Sequence, residues 1–498
     1  MAADPIKVYD ARWEVTEFTD AQVARLFEAT LLYARELGVD TIVLTRDTRL
    51  GGARVLEIGL NTALTAGFRV RVRMEPVSTP QGYFAALWTT REYAGTMGLG
   101  ITASHNPKQY IGVKFVVPTV AAIGYDCGPQ GGLTRIRALY HSDQKLLPTG
   151  TGSLTLLDLT REYIDYSLAA AGIKPGELKG LRVVLDAFNG SAGSEIYQAL
   201  TRAGVHVETL RLVPNGEFPT GSPNPTSQGK MKDAVALAAA RDCQAVLGVD
   251  GDGDRIVFGD RRGILTAGFA FVPILQTCLR ANQAPVGVPV LYDPKVSPLA
   301  LAEWGKLGAK PVLFRNGHSQ IKDYMTQIGA LAAAEESGHY YHQLTLDSLR
   351  ISGENSIITI LLFLGALHKD PQLMTRLWQM QDQVFTTGEF NYQFADDTIR
   401  DAAMAAVVGH FVQDGAKIQT TTDDGIDLEG TCINKGVVLE PGKVQLSPHW
   451  YSAYMRVATN EKGVVRSYFS TGETGWGKQV EATVRGILEQ QFHGKVID

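Results

Sequence analysis

The sequence predicts a multidomain α/β protein with mixed sheets. Three observations carry that expectation: the chain length, a recurring apolar run that ends in a polar turn, and helical periodicity between those runs. At 498 residues the chain has room for roughly three to five domains of ordinary size, each able to bury a core of its own. The runs are Thr41 to Leu44 leading into Arg46 and Asp47, Leu181 to Leu185 leading into Asp186, and Val288 to Tyr292 leading into Asp293. Each reads as a buried strand with polar groups at its C-terminal end, because short bounded runs of β-branched and apolar residues suit a sheet interior. Asp20 to Leu37, Ser194 to Ala203 and Lys230 to Ala240 place apolar residues every three or four positions, which is helical spacing. Alternation of the two patterns gives the α/β class, and its recurrence in three successive segments points to a divergent internal repeat. Thr149 to Ser153 is a candidate linker, with Gly263 and Lys369 to Pro371 as lesser candidates.

Composition excludes several classes of function. The formal net charge is −5 and no basic run is interleaved with aromatics, so a nucleic-acid footprint is absent. An anionic substrate would need cations placed locally. Met1 to Pro5 has no charged segment followed by an apolar stretch, and the longest apolar run, Ile357 to Leu367, is too short to cross a bilayer. A soluble, cytoplasmic protein with no membrane partner is expected. Cys127, Cys243, Cys278 and Cys432 lie far apart with no CxxC pair, which reads as buried reduced thiols and not as a disulfide framework or zinc site.

Asp250-Gly251-Asp252-Gly253-Asp254-Arg255 follows the apolar run Ala245 to Val249, so three alternate carboxylates stand at the end of a strand. The two glycines permit the curl that lets them converge. An EF-hand loop would need Gly at its sixth place and Glu at its twelfth, where this chain has Arg255 and Arg261. A few carboxylates with room for a phosphate oxygen suit Mg2+.

Thr102-Ala103-Ser104-His105-Asn106-Pro107 follows Gly98 to Ile101, again a short strand entering a loop. Pro107 disfavours helical geometry at Asn106 and holds the turn open, displaying Ser104. Nothing nearby resembles Gly-x-Ser-x-Gly, and His105 adjoins Ser104 directly, so no hydrolase triad is indicated. A serine without a local base can still carry phosphate, because phosphoryl transfer depends mainly on positioning and charge neutralisation.

Together these loops resemble those of the α-D-phosphohexomutases, the family of phosphoglucomutases, phosphomannomutases and phosphoglucosamine mutases. The likeness covers nearly the whole chain. It lies in the serine loop with its trailing Tyr110 to Lys114, in the metal loop Asp250 to Arg255, and in Glu335-Glu336-Ser337-Gly338-His339, a sugar loop. Tyr9 to Arg12, Arg46 to Arg49, Pro76 to Pro80, Asp186 to Gly190, Lys295 and Gly317 to Lys322 add to it. The resemblance implies four domains around a central cleft: three similar α/β domains with mixed sheets and a distinct C-terminal α+β domain. The expected limits are 1–150 with the serine loop, 151–262 with the metal loop, 263–372 with the sugar loop, and 373–498 with a phosphate-binding loop.

It further implies a resting phosphoserine at Ser104 that shares Mg2+ with Asp250, Asp252 and Asp254. That phosphate passes to a sugar monophosphate, and the other phosphate of the resulting hexose bisphosphate is taken back; the bisphosphate also acts as activator. Arg12, Lys114 and Arg255 would add positive charge, and His105, Lys114, His318 and His339 are candidates for proton transfer. Glu335 and Ser337 suit hydrogen bonds to ring hydroxyls, Lys295 is a further substrate ligand, and a monomer or homodimer is expected.

The final phosphate loop departs from the family form Arg-x-Ser-Asn/Gly-Thr-x-Pro. Arg456 remains, with Thr459 and Asn460 as donors, but the serine is Ala458 and the proline Lys462. Each lost neutral donor weakens phosphate grip by roughly 1 kcal/mol. Trp13 also stands where relatives commonly have Gly. The reading is a phosphoglucomutase or phosphomannomutase, with phosphoglucosamine mutase ranked behind. From other classes, the rivals are a non-catalytic sugar-phosphate-binding protein, motivated by the altered loop, and a metal-dependent phosphatase.

Overall fold

The computed structural model describes residues 4–440, 443–458 and 461–497. The chain forms two compact units. The first runs up to Ile264 and includes Gly317–Ala332 and Ser337–Pro371; the second comprises Leu265–Asn316, Ala333–Glu336 and the chain from Gln372 onward.

Two mixed sheets form most of the first unit. In the seven-stranded one, the strands Thr96–Ile101, Thr41–Arg46, Arg69–Val72 and Ser153–Leu156 lie parallel in that order, while Tyr110–Val117 and then Ala11–Glu14 add antiparallel at one edge. The parallel centre is wholly apolar at Ile42, Val43 and Leu44, all buried, as expected for strands covered on both faces. The helix Asp20–Glu36 covers one face and starts at a capping box, in which Thr19 Oγ1 accepts from Gln22 N and Gln22 Oε1 accepts from Thr19 N. It turns Val23, Leu26, Phe27 and Leu31 to the core. Gly59 of the helix Gly52–Thr65 is required there, since a Cβ would lie 2.6 Å from the Phe27 ring.

The second sheet sets Ala245–Val249, Arg182–Asp186 and His206–Leu210 parallel, with Ile256–Asp260 and Gly263–Ile264 antiparallel at the edge. The helices Gly193–Arg202 and Lys232–Arg241 flank it, displaced by one or two residues from the periodic stretches read in the sequence. Helix His318–Ile328, hairpin Tyr340–Leu346/Leu349–Glu354 and helix Ser356–Lys369 complete the unit. The apolar run Ile357 to Leu367 lies within that last helix, which is mostly buried in protein. No single helix among the described residues is long and apolar enough to cross a membrane. The candidate linker Thr149 to Ser153 is tied down: Thr149 Oγ1 donates to Ala66 O at 2.6 Å, Gly152 N donates to Leu64 O at 2.8 Å, and Ser153 opens the last parallel strand.

In the second unit, Val288–Tyr292 and Ala309–Leu313 pair in parallel beside the helices Ala267–Ala281 and Pro298–Lys306. The C-terminal region is different in kind. Its six-stranded sheet runs Lys417–Thr421, Asp427–Glu440, Lys443–Val457, Val464–Thr471, Phe385–Gln393 and Lys495–Ile497, antiparallel throughout. Helices Asp397–Gln413 and Thr474–Arg485 belong to this region, and Val407, Phe411 and Val484 from them join Phe390, Tyr451 and Phe469 in one core. The mixed α/β sheets and distinct C-terminal region expected from the sequence are both present. Cys243, Cys278 and Cys432 are buried and Cys127 is half-buried.

Candidate active site

The serine loop leaves the strand Thr96–Ile101 and returns as Tyr110–Val117, which pairs with it so that Gly100 faces Lys114. Thr102 Oγ1 accepts from Ser104 N at 2.9 Å, and Asn106 N donates to Ala103 O at 3.0 Å. This tight turn puts Ser104 at φ +52°, a left-handed conformation that a serine holds only when its surroundings impose it. Ser104 is buried at 4% exposure, so the displayed serine of the sequence reading is in fact enclosed. Its Oγ lies 3.0 Å from Asp250 Oδ2 and 3.2 Å from His105 Nδ1.

The carboxylate loop joins two antiparallel strands, Ala245–Val249 and Ile256–Asp260. Its curl depends on both glycines, for different reasons. Gly253 takes φ +74° and a Cβ there would meet Ala192 Cβ at 2.3 Å; at Gly251 a Cβ would come within 2.7 Å of the Ser104 carbonyl oxygen. The second contact is what lets the two loops touch. Asp250 Oδ1 accepts from the backbone N–H of Asp254 and Arg255, each at 3.1 Å. Asp252 Oδ2 accepts from Thr79 Oγ1 at 2.6 Å and from Lys114 Nζ at 2.9 Å. Thr102 Oγ1 lies 3.1 Å from that oxygen and 2.7 Å from Asp47 Oδ2, with one proton to share between them. Lys114 Nζ also donates to Asp254 Oδ2.

Asp250, Asp252 and Asp254 thus offer oxygens within 4.8 Å of one another. Buried Asp252 Oδ1 and Asp254 Oδ1 accept no hydrogen bond from the described residues. Burial together with the charges of Asp252 and Asp254 raises Asp250 well above the carboxylate range. At Asp252 burial acts in the same direction, but Lys114 and the hydroxyls more than offset it and the group is lowered. Lys114, whose charge burial opposes, is held protonated by the two aspartates. A crowded set of hard oxygens with unpartnered lone pairs fits a divalent cation.

Further sequence candidates gather on the same unit. Arg12, on the strand Ala11–Glu14, donates through Nη1 to Asn106 Oδ1 at 2.9 Å and through Nη2 to Asp10 Oδ2 at 2.5 Å. Its neighbour Trp13 faces the other way, buried against Phe18 with ring centroids 5.6 Å apart, so the departure from glycine falls on the core side of the strand. Arg255 and His339 form a bridge that ties residues 337–339 to the metal loop, with Ile256 N donating to Gly338 O at 2.9 Å. Arg255 Nε donates to His339 Nε2 at 3.1 Å, which leaves the ring proton on Nδ1, 3.7 Å from Asp254 Oδ1. Burial, eased by Asp254, pushes His339 down to about 3, and burial together with Lys322 and Lys114 keeps His318 neutral as well. Among the described residues, none offers a hydrogen bond to His318 Nε2 or Ser337 Oγ.

The remaining candidates are on the second unit. Asn316 Nδ2 lies 3.0 Å from Glu335 Oε1 and 2.8 Å from Asp293 Oδ2, and Lys295 Nζ donates to Glu389 Oε1 at 2.8 Å. Arg456 is half-buried and its charge helps lower Glu389, after the larger effect of Lys295. Glu336 is engaged differently from its neighbour. Its carboxylate accepts from Ala267 N and Gly268 N at the start of helix Ala267–Ala281, at 3.0 and 3.3 Å, and burial beside Asp293 pushes it up to about 7. Thr459 and Asn460 lie outside the described residues.

Sequence reasoning missed Thr79, Asp47, Arg49, Asp293, Asn316, Lys322 and Glu354. Lys322 Nζ and Glu354 Oε2 form a buried ion pair at 3.0 Å, and Glu354 lies close enough to Asp254 and His339 to form a second acidic cluster. For Thr79, Asp47, Arg49 and Lys322 the only signal was membership in segments that resemble the family.

Three family models match the chain in order. They are described as phosphoglucomutase/phosphomannomutase alpha/beta/alpha domain I over residues 5–126, domain II over 161–263 and domain III over 272–383. A phosphoglucomutase of Neisseria gonorrhoeae is 31% identical over 345 residues, covering 68% of this chain and 70% of that protein. A phosphomannomutase/phosphoglucomutase of Pseudomonas aeruginosa is 30% identical over 351 residues, with 68% and 70% covered. The solved structure of a phosphoglucomutase/phosphomannomutase family protein from Burkholderia thailandensis aligns with a TM-score of 0.77 over 98% of both chains, at 23% identity, a likeness of fold. The chain belongs to the α-D-phosphohexomutase family and is an enzyme of its sugar-phosphate isomerase type.

Proposed function

We propose that the enzyme interconverts hexose 1-phosphate and hexose 6-phosphate, with glucose or mannose as the sugar, through a phosphoserine at Ser104 and bound Mg2+. The observation that carries this reading is the 3.0 Å approach of Ser104 Oγ to Asp250 Oδ2, across 146 positions of sequence. In the first half-reaction the bond from phosphorus to Ser104 Oγ breaks as one forms to the free hydroxyl of the sugar monophosphate, whose proton leaves to a base. The hexose bisphosphate then returns its other phosphate to Ser104 Oγ, and the proton goes back to the vacated sugar oxygen. When Mg2+ is bound to the three aspartates, the chemistry it supplies is neutralisation of charge on the phosphoryl group.

Lys114 is engaged by two carboxylates, so its part is to supply fixed charge, with Arg12 and Arg255. His105, His318 and His339 remain for proton transfer; all are neutral imidazoles. His318 has the best claim, because its Nε2 is buried and has no partner among the described residues. We assign substrate contact to Arg255, Ser337, Lys295, Glu335 and Arg456. The test is incubation with glucose 1-phosphate or mannose 1-phosphate, Mg2+ and a trace of the matching bisphosphate, followed by separation of products. The 6-phosphate is expected; free phosphate in its place would make the enzyme a hydrolase, and no product would overturn the reading.

A further inference from the structure

We propose that Arg49 is the positioning residue that holds the serine loop in shape for phosphoryl transfer, an inference that rests on Ser104 as phosphate carrier. Arg49 is 1% exposed and touches no part of the Ser104 hydroxyl. Instead it clasps the loop by its backbone. Nη2 donates to the carbonyl oxygens of Ser104 and Asn106 at 2.6 and 2.7 Å. Nη1 donates to those of Pro107 and Tyr110 at 2.8 and 3.0 Å. Nε donates to Asp47 Oδ2 at 3.1 Å, while Asp47 Oδ1 accepts from Arg49 N at 2.8 Å. A guanidinium has five N–H donors in a rigid fork, and every one is used here. The Phe218 ring covers the group, 5.3 Å from Cζ.

The four carbonyls span the loop from Ser104 to the start of the returning strand, so one planar cation fixes the whole turn. The left-handed Ser104, φ +52°, persists only where its surroundings over-determine it. Arg49 fastens the same carbonyl that lies against Gly251, so it sets the spacing between serine and metal loops at their point of contact. Each turnover uses that spacing twice, once to give phosphate and once to reclaim it. Substrate binding does not depend on it, and a loss of Arg49 therefore falls on kcat. Lysine offers three donors from one point and cannot span the carbonyls.

The test compares Arg49→Lys, Arg49→Ala and Ser104→Ala by steady-state kinetics and intact mass, with circular dichroism to confirm folding. Both Arg49 variants are expected to lose about 100-fold in kcat, the scale of a small misplacement of reacting groups, with KM little changed. Added methylguanidinium is expected to restore part of kcat to Arg49→Ala and none to Ser104→Ala. Should Arg49→Ala fail to fold, Arg49→Lys and Asp47→Asn carry the same kcat-against-KM comparison. Near wild-type kcat in a folded Arg49 variant, a loss confined to KM, or no rescue of folded Arg49→Ala would overturn the inference. Failure of the Ser104 reading shows separately, as unimpaired turnover by Ser104→Ala.

Discussion

Replacing Gly251 by alanine puts a methyl carbon where the Ser104 carbonyl oxygen stands 2.7 Å away and Pro223 Cγ 2.8 Å away. Ordinary contact begins at 3.4 Å, so the serine loop must recede by about 0.7 Å or the metal loop must tilt by as much. The proline ring blocks a sideways escape. Arg49 also holds the Ser104 carbonyl, at 2.6 Å, so the strain falls on the 3.0 Å separation of Ser104 Oγ and Asp250 Oδ2. Misplacement by about 1 Å costs about 10²-fold in rate, and the expected loss in kcat for Gly251→Ala is about 10- to 100-fold. The overpacking itself should cost about 1–3 kcal/mol of stability, small enough for the protein to remain folded. Kinetics with hexose 1-phosphate at saturating Mg2+ and bisphosphate, together with circular dichroism, read both quantities. A folded Gly251→Ala enzyme with unchanged kcat would show that contact between the two loops does not set the rate.

Removing the ammonium in Lys114→Met leaves Asp252 and Asp254 buried without their shared cation, a loss of about 3–5 kcal/mol. Urea unfolding in the presence of a chelator should show the lowered midpoint, and an unchanged midpoint would count against the ion pairs. Glu195 gives a pH dependence of its own. Burial, partly offset by the hydrogen bond from Ser78, pushes its carboxyl up to about 8 from an ordinary 4.5. Across that window the native protein keeps a proton that the unfolded chain has lost. The group's contribution to stability is thus complete below about pH 4.5 and drains away as pH rises to 8. Glu195→Gln should gain on the wild type over that range, by up to about 1.4 kcal/mol per pH unit; urea midpoints that run parallel for the two proteins from pH 5 to 8 would contradict it.

The chemistry-bearing loops were legible because each is a contiguous run of distinctive residues at the end of an apolar strand. Asp250 to Arg255 needed only its own spacing to suggest a cation site. The partners that hold such loops left no local trace. Arg49 meets carbonyls 55 to 61 positions away, and Thr79 meets Asp252 across 173, and no periodicity encodes either contact. Glu335 and Glu336 are the same residue type side by side, yet the second caps a helix; only the backbone path separates their roles. Trp13 looked like a change in a site motif, whereas strand alternation puts it in the core beside an outward Arg12. Thr149 to Ser153 has the composition of a linker because composition does not report hydrogen bonds to a neighbouring helix end.

The most direct measurement is the intact mass of the purified enzyme before and after phosphatase, with Ser104→Ala alongside. Wild type should carry one removable phosphoryl group and the variant none, with turnover lost in the variant and its circular dichroism unchanged. A fully active wild-type enzyme that never carries phosphate, or a Ser104→Ala enzyme that turns over at the wild-type rate, would contradict the account.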